Sequence, residues 1–240
     1  MNTLKRIDNM NSNRKKTIIV GVLFIIGIVA GILSIDPVID SSDYLVNASA
    51  NANQVITRAL LQFLIAVAYA SIPIILYPIL RKHNKDLALG FLVFRIIAVV
   101  YFFFGWTSIL LLLAISQEFV KAGTPDPSYF QTIGELGRIG RDTLNHVAMP
   151  LVLSVGNIMF YSLLYKTKLV PQWLSGWGLI ATLMGGILGS LLVMFQIIGI
   201  ITPEYIFLTL PTALLEIVLA IWFIATGFDS KVMDSIFEKE

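Results

Sequence analysis

Six segments of this chain run continuously apolar with at most one charged residue each, at 17–35, 59–80, 91–115, 147–165, 173–201 and 205–226. A bilayer hydrocarbon core about 30 Å thick is crossed by roughly 20 apolar residues in a helix, so each segment is long enough to span it. Barrel strands would be shorter and would alternate apolar with polar side chains, whereas a helix satisfies its own backbone in lipid. The expected fold is all-α: a polytopic membrane protein built as a six-transmembrane-helix bundle. It divides into an N-terminal segment at 1–16, a membrane domain at 17–226 and a C-terminal tail at 227–240. The fifth run is long enough to be tilted, broken or partly interfacial.

Composition narrows the function classes. Charged residues are 13% of the chain, against about 25% in soluble domains, and the mean hydropathy is +0.82. So few polar groups cannot cover a water-facing surface, which excludes a soluble enzyme. The net charge of +2 argues against nucleic acid as a partner, and the absence of cysteine excludes a disulfide-stapled domain. Membrane lipid is the expected partner.

Lysine and arginine set the expected orientation, since positive residues stay on the cytoplasmic side of short loops. Placing 1–16, 81–90, 166–172 and 227–240 on that side gathers 12 of the 17 basic residues there, Lys5, Arg14, Arg81 and Lys239 among them. Arg58, Lys121, Arg138 and Arg141 fall on the other side, and Arg95 lies within a span. Both termini are therefore expected in the cytoplasm. The 19-residue first run exceeds the 7–15 typical of a signal-peptide core, so no cleavage is expected.

Between spans one and two, Asp36 to Arg58 reads as a solvated loop. Before span four, Asp126-Pro127 resembles an N-cap followed by a proline at the first helical position. From there Phe130, Ile133, Leu136 and Ile139 recur at helical spacing, which predicts an external amphipathic helix lying on the interface or leading straight into the span. Its polar residues Glu135, Arg138, Arg141, Asp142 and His146 form a candidate external cluster. The spacings Glu135 to Arg138, Arg138 to Asp142 and Asp142 to His146 are those of ordinary helix-surface pairs. Gly134, Gly137 and Gly140 suit close approach of a neighbour better than a phosphate loop, for which the strand-turn-helix setting is absent. The Gly27 to Gly31 GxxxG pattern and the stripe Ala181, Gly185, Gly189 suit helix packing in lipid. Packing within the chain is expected, with homo-oligomerisation through these small-residue faces as the alternative.

Arg95 and Glu216 are the charges lipid should not contain. Counted from the ends of the apolar runs, Arg95 lies roughly 6–12 Å deep and Glu216 roughly 15 Å. With Asn157 and Gln196 they form a candidate intramembrane polar site. Two readings stand open: a substrate or proton pathway with Glu216 titrating beside Arg95, or a fixed ion pair that sets helix register. Tyr69, Tyr77, Pro73 and Pro78 in span two suit kink and interface roles. Catalysis has little support, because HExxH and GxSxG motifs are absent and His83 and His146 fall on opposite sides of the membrane. No catalytic, metal or cofactor residue is assigned.

The chain also resembles a bacterial family of integral-membrane proteins catalogued as domain of unknown function 4386. The similarity is carried by Gly21-Val22-Leu23-Phe24-Ile25-Ile26, by Leu76-Tyr77-Pro78-Ile79-Leu80-Arg81 with Gly90-Phe91 to Arg95, and by Pro211 to Glu216 with Trp222 and Gly227-Phe228. Its most specific part is Val170-Pro171-Gln172-Trp173-Leu174-Ser175. The resemblance implies a multi-spanning protein of a bacterial plasma membrane and brings no reaction or ligand with it. The leading expectation is a non-enzymatic, membrane-embedded binding, stress-response or regulatory component. The alternative is a small-solute or proton transporter using the Arg95/Glu216 site.

Overall fold

The computed structural model describes residues 3–123, 126 and 128–237, and the regular elements among them are all helices. In chain order these are α1 (Thr3–Leu33), α2 (Pro37–Asp40), α3 (Tyr44–Ala50), α4 (Ala52–Leu80), α5 (Lys85–Lys121) and α6 (Ser128–Thr143). There follow α7 (Met149–Thr167), α8 (Gln172–Ala181), α9 (Ser190–Met194), α10 (Pro203–Ala225) and α11 (Ser230–Phe237). A π-helical turn at Leu144–Ala148 joins α6 to α7, and another at Thr182–Gly189 joins α8 to α9. Counting each joined pair as one rod, six helices are long and apolar enough to cross a membrane, and the chain is an all-α membrane protein.

Local chemistry fixes the ends. Asn84 accepts from Leu87 N at 2.9 Å and starts α5, and Thr202 accepts from Tyr205 N to start α10. The Asp126 carboxylate accepts from Ser128 N at 3.0 Å, as an N-cap should, while Pro127 lies outside the described residues. The amphipathic helix α6 leads straight into span four. Span five is shorter than its apolar run: the helix stops at Met194 and residues 195–201 form a turn, with Gln196 left-handed at φ 58°. Apolarity reports that a segment tolerates lipid, and says nothing about whether its backbone continues as a helix.

Each spanning rod packs on its neighbours in sequence, and α10 closes on α1, so the six form a ring. Arg14 seals this closure by donating to the carbonyls of Phe223, Ile224 and Ala225 at the end of α10, which places the start of the α1 span and the end of α10 on one face. Above that face lies a dense apolar core drawn from every span, including Phe24, Leu76, Phe91, Phe160, Leu174 and Leu219. Gly27 and Gly31 of the GxxxG pattern approach Tyr69 and Ile65 of α4, so that face packs within the chain.

At the opposite end the segment after α1 is not a solvated loop. Ile39, Tyr44, Leu45 and Ala48 are buried in a second core with Val55, Ile109 and Phe119, so α2 and α3 form a folded cap over α4 and α5. Ser116 of α5, fully buried, pins the cap: its hydroxyl donates to Leu45 O at 2.8 Å and accepts from Ser49 N at 2.7 Å. Ser116→Ala removes both of the bonds that tie α3 to α5. We expect it to cost about 1–3 kcal/mol. Faster hydrogen exchange at Ser49 and a lower unfolding midpoint in detergent are the readouts; exchange matching the parent protein would refute the pinning role.

Candidate functional site

Antiparallel helices bring residues of like depth together. Measured from the face that carries Arg14, Tyr69 lies 11 residues above the end of α4 and Arg95 lies 10 above the start of α5. Asn157 lies 10 above the end of α7, and Glu216 lies 9 above the end of α10. At about 1.5 Å per residue all four fall in one layer roughly 14–17 Å deep. Arg95 is deeper than its apolar run suggests, because α5 begins at Lys85, well before the run does.

Arg95 is buried at 3% exposure, and its Nη1 donates to Asn157 Oδ1 at 2.9 Å. Its guanidinium carbon sits 4.9 Å from the centre of the Tyr69 ring and 5.9 Å from those of Phe24 and Phe91, a cation held among π faces. Tyr69 in turn donates its hydroxyl to Glu216 Oε2 at 2.8 Å. Arg95 and Glu216 do not form the direct ion pair that one sequence reading required; Tyr69 stands between them. Nε and Nη2 of Arg95 are buried and find no acceptor among the described residues.

Within this layer lies a cavity of about 120 Å³, lined by Arg95, Tyr69 and Glu216 and by apolar residues that include Val99, Phe102 and Leu153. On the Arg14 side it meets packed apolar residues, where Phe91 and Phe160 stack at 4.4 Å and Leu215 and Leu219 are fully buried. On the cap side packing is looser, and α10 buries no residue before Leu215.

Gln196 does not join this layer; it stands exposed in the turn after α9. Nor does the external cluster converge on the cavity. Arg141 binds Asp40 and Asp142, both at 2.7 Å, and Arg138 donates to the carbonyls of Asp40 and Ser41 and covers the Tyr44 ring. Glu135 pairs with Arg138 at 3.7 Å as its spacing predicts. Arg138 does not take Asp142, however, and His146 Nδ1 lies 3.0 Å from the Tyr205 hydroxyl of α10 instead of bonding Asp142. The folded cap supplies acceptors that helix-surface spacing alone could not reveal. Burial pushes the Tyr44 phenol above its ordinary value, with Arg138 opposing. Gly134 lets that phenol lie against α6, where a Cβ would overlap it.

Among the described residues no group of three or more His, Cys, Asp or Glu is arranged to hold a metal. Tyr69 is the residue that sequence reasoning undervalued. A tyrosine in a span reads as an interfacial anchor, and only its depth, matched to Arg95 across an antiparallel pair, marks it as part of the polar layer. A family model described as a domain of unknown function (DUF4386) matches residues 19–227. No curated protein and no solved structure matches the chain.

Proposed function

Since the chain belongs to the DUF4386 family, whose description carries neither reaction nor ligand, we propose from its own residues that it is a non-enzymatic, membrane-embedded binding protein whose site is the cavity at the centre of the ring. The observation that carries this is Arg95: a residue that lines an unfilled space, with its guanidinium buried in a span and Nε and Nη2 unpartnered. An intramembrane charge is expensive, and a charge retained only to set helix register gains nothing from leaving two donors unsatisfied. A ligand that accepts from them accounts for both the charge and the space.

The face bearing Arg14, Arg81 and Lys168 is taken as cytoplasmic, on the lysine and arginine distribution, in a bacterial plasma membrane. Access then runs from the outside, past the loosely packed start of α10. Transport of a small solute through the same site is the second reading. It is favoured by Pro211, which interrupts α10 next to the stretch that buries nothing, a suitable place for that half-helix to swing.

The native chain has no cysteine, so accessibility is cleanly tested. Leu153→Cys, lining the cavity, should react with 2-aminoethyl methanethiosulfonate in proteoliposomes, while Leu164→Cys in the sealed core should not. Equal protection of the two cysteines would remove the binding site from this account.

A further inference from the structure

The guanidinium of Arg95 is a planar fork of five N–H donors, one corner of which is already committed. Nη1 is tied to Asn157, and the guanidinium carbon sits 4.9 Å from the centre of the Tyr69 ring, so two contacts hold the group in place. The remaining edge carries Nε and Nη2, the two atoms without acceptors. Their parallel N–H bonds have the spacing of the two oxygens of a carboxylate, the bidentate geometry that distinguishes arginine from lysine.

The rest of the cavity restricts what can carry that carboxylate. Its volume of about 120 Å³ corresponds to the share of roughly four waters at about 30 Å³ each, enough for a carboxyl group and a few carbons. Val99, Phe102 and Leu153 offer such a tail apolar contact. A phosphate dianion would bring more charge than one arginine offsets and would set its further oxygens against these side chains.

Glu216 lines the same space, and two carboxylates beside one guanidinium in a low-dielectric site cannot both ionise. The groups facing Glu216 are Tyr69 of α4, Arg95 of α5 and Tyr161 of α7. Of the other elements packed against α10, α1 between Thr17 and Leu33 has no ionisable side chain and neither does 172–189, while His146 meets α10 at Tyr205, eleven residues before Glu216. Tyr69 occupies Oε2 of Glu216, which leaves Oε1 to share a proton with an incoming carboxyl group.

Resting on the binding reading above, we infer that the cavity takes a short-chain monocarboxylic acid as the anion plus one proton, with the anion on the Nε/Nη2 edge of Arg95 and the proton held between ligand and Glu216. No bond is made or broken beyond this proton transfer from solvent.

The test uses the full chain in detergent, with butyrate titrated calorimetrically between pH 6.5 and 8 in two buffers of different ionisation heat. One proton should be taken up per butyrate bound, and by linkage the affinity should weaken about tenfold per pH unit. Glu216→Gln, permanently neutral, should bind butyrate with no proton uptake and no pH slope. Arg95→Lys, which keeps the charge and loses the two-pronged edge, should weaken binding about tenfold or more. Proton uptake is measured on the parent protein, so the answer does not depend on any variant folding. Binding without proton uptake, or butanamide binding as tightly as butyrate, would overturn the inference. Inorganic phosphate binding through Arg95 while butyrate does not bind would overturn the ligand class and leave the binding reading intact. Absence of all binding together with an unreactive Leu153→Cys would overturn both.

Discussion

Arg14→Ala is expected to lower the unfolding midpoint of the detergent-solubilised protein by about 5–10 °C, because it removes the side chain that closes the helix ring. The last carbonyls of a helix have no intrahelical donors, and they carry the negative end of its dipole. Arg14 supplies three bonds to them, from Nη1 to Phe223 O at 2.7 Å and from Nη2 to the carbonyls of Ile224 and Ala225. Charge-assisted bonds contribute about 1.5–3 kcal/mol each when buried. This site is partly exposed, so a net of about 2–4 kcal/mol is the reasonable expectation after screening. For a chain of this size each kcal/mol moves the midpoint by about 2–4 °C. Arg14→Lys keeps the charge without the fork and should recover only part of the loss. Lys15→Ala, at an exposed neighbouring position, should have no effect. Equal midpoints for Arg14→Ala and Lys15→Ala would show that the closure depends on apolar packing alone.

The second large effect is expected at Gly185, in the π-helical turn of span five. A Cβ there would lie 2.8 Å from Leu208 O and 3.2 Å from the Thr209 Cα, both backbone atoms of α10 that no rotamer change can move. Thr212 bonds across the same interface to Ala181 O at 3.2 Å, which holds the two helices at this separation. Gly185→Ala should cost about 1–3 kcal/mol as overpacking, and Gly185→Val should leave spans five and six unable to dock. Gly140 supplies the contrast, because a Cβ there meets nothing within 4 Å. Gly140→Ala should be neutral or stabilising by about 0.5–1 kcal/mol, since alanine restricts the unfolded helix backbone. Midpoints in detergent distinguish the pair; a tolerated Gly185→Val would mean that span six is free to move away from span five.

The spans were legible because lipid imposes one crude requirement, length of apolar helix, and all six runs meet it. What escaped was set by tertiary contact. The cap over α4 and α5 hides its four buried apolar side chains among Asp36, Ser41, Ser42, Asp43 and Asn47, and two helices of 4 and 7 residues are too short to show a period. Arg95 and Glu216 announced themselves by charge, and Asn157 by polarity at the same depth. Tyr69 did not, since its role depends on lying across the ring from Glu216, a relation between the second span and the sixth. Gln196 misled for the converse reason: it sits in an apolar run that looked like membrane helix and is a turn.

Closure of the ring also has a consequence in time. Arg14 and its first acceptor, Phe223 O, are 209 residues apart, so α1 leaves the ribosome well before the helix it closes on. At about 5–20 residues per second that delay is on the order of ten to forty seconds. Throughout it the flank of α1 that will meet α10 stands without that neighbour, so the ring cannot close until α10 has been made.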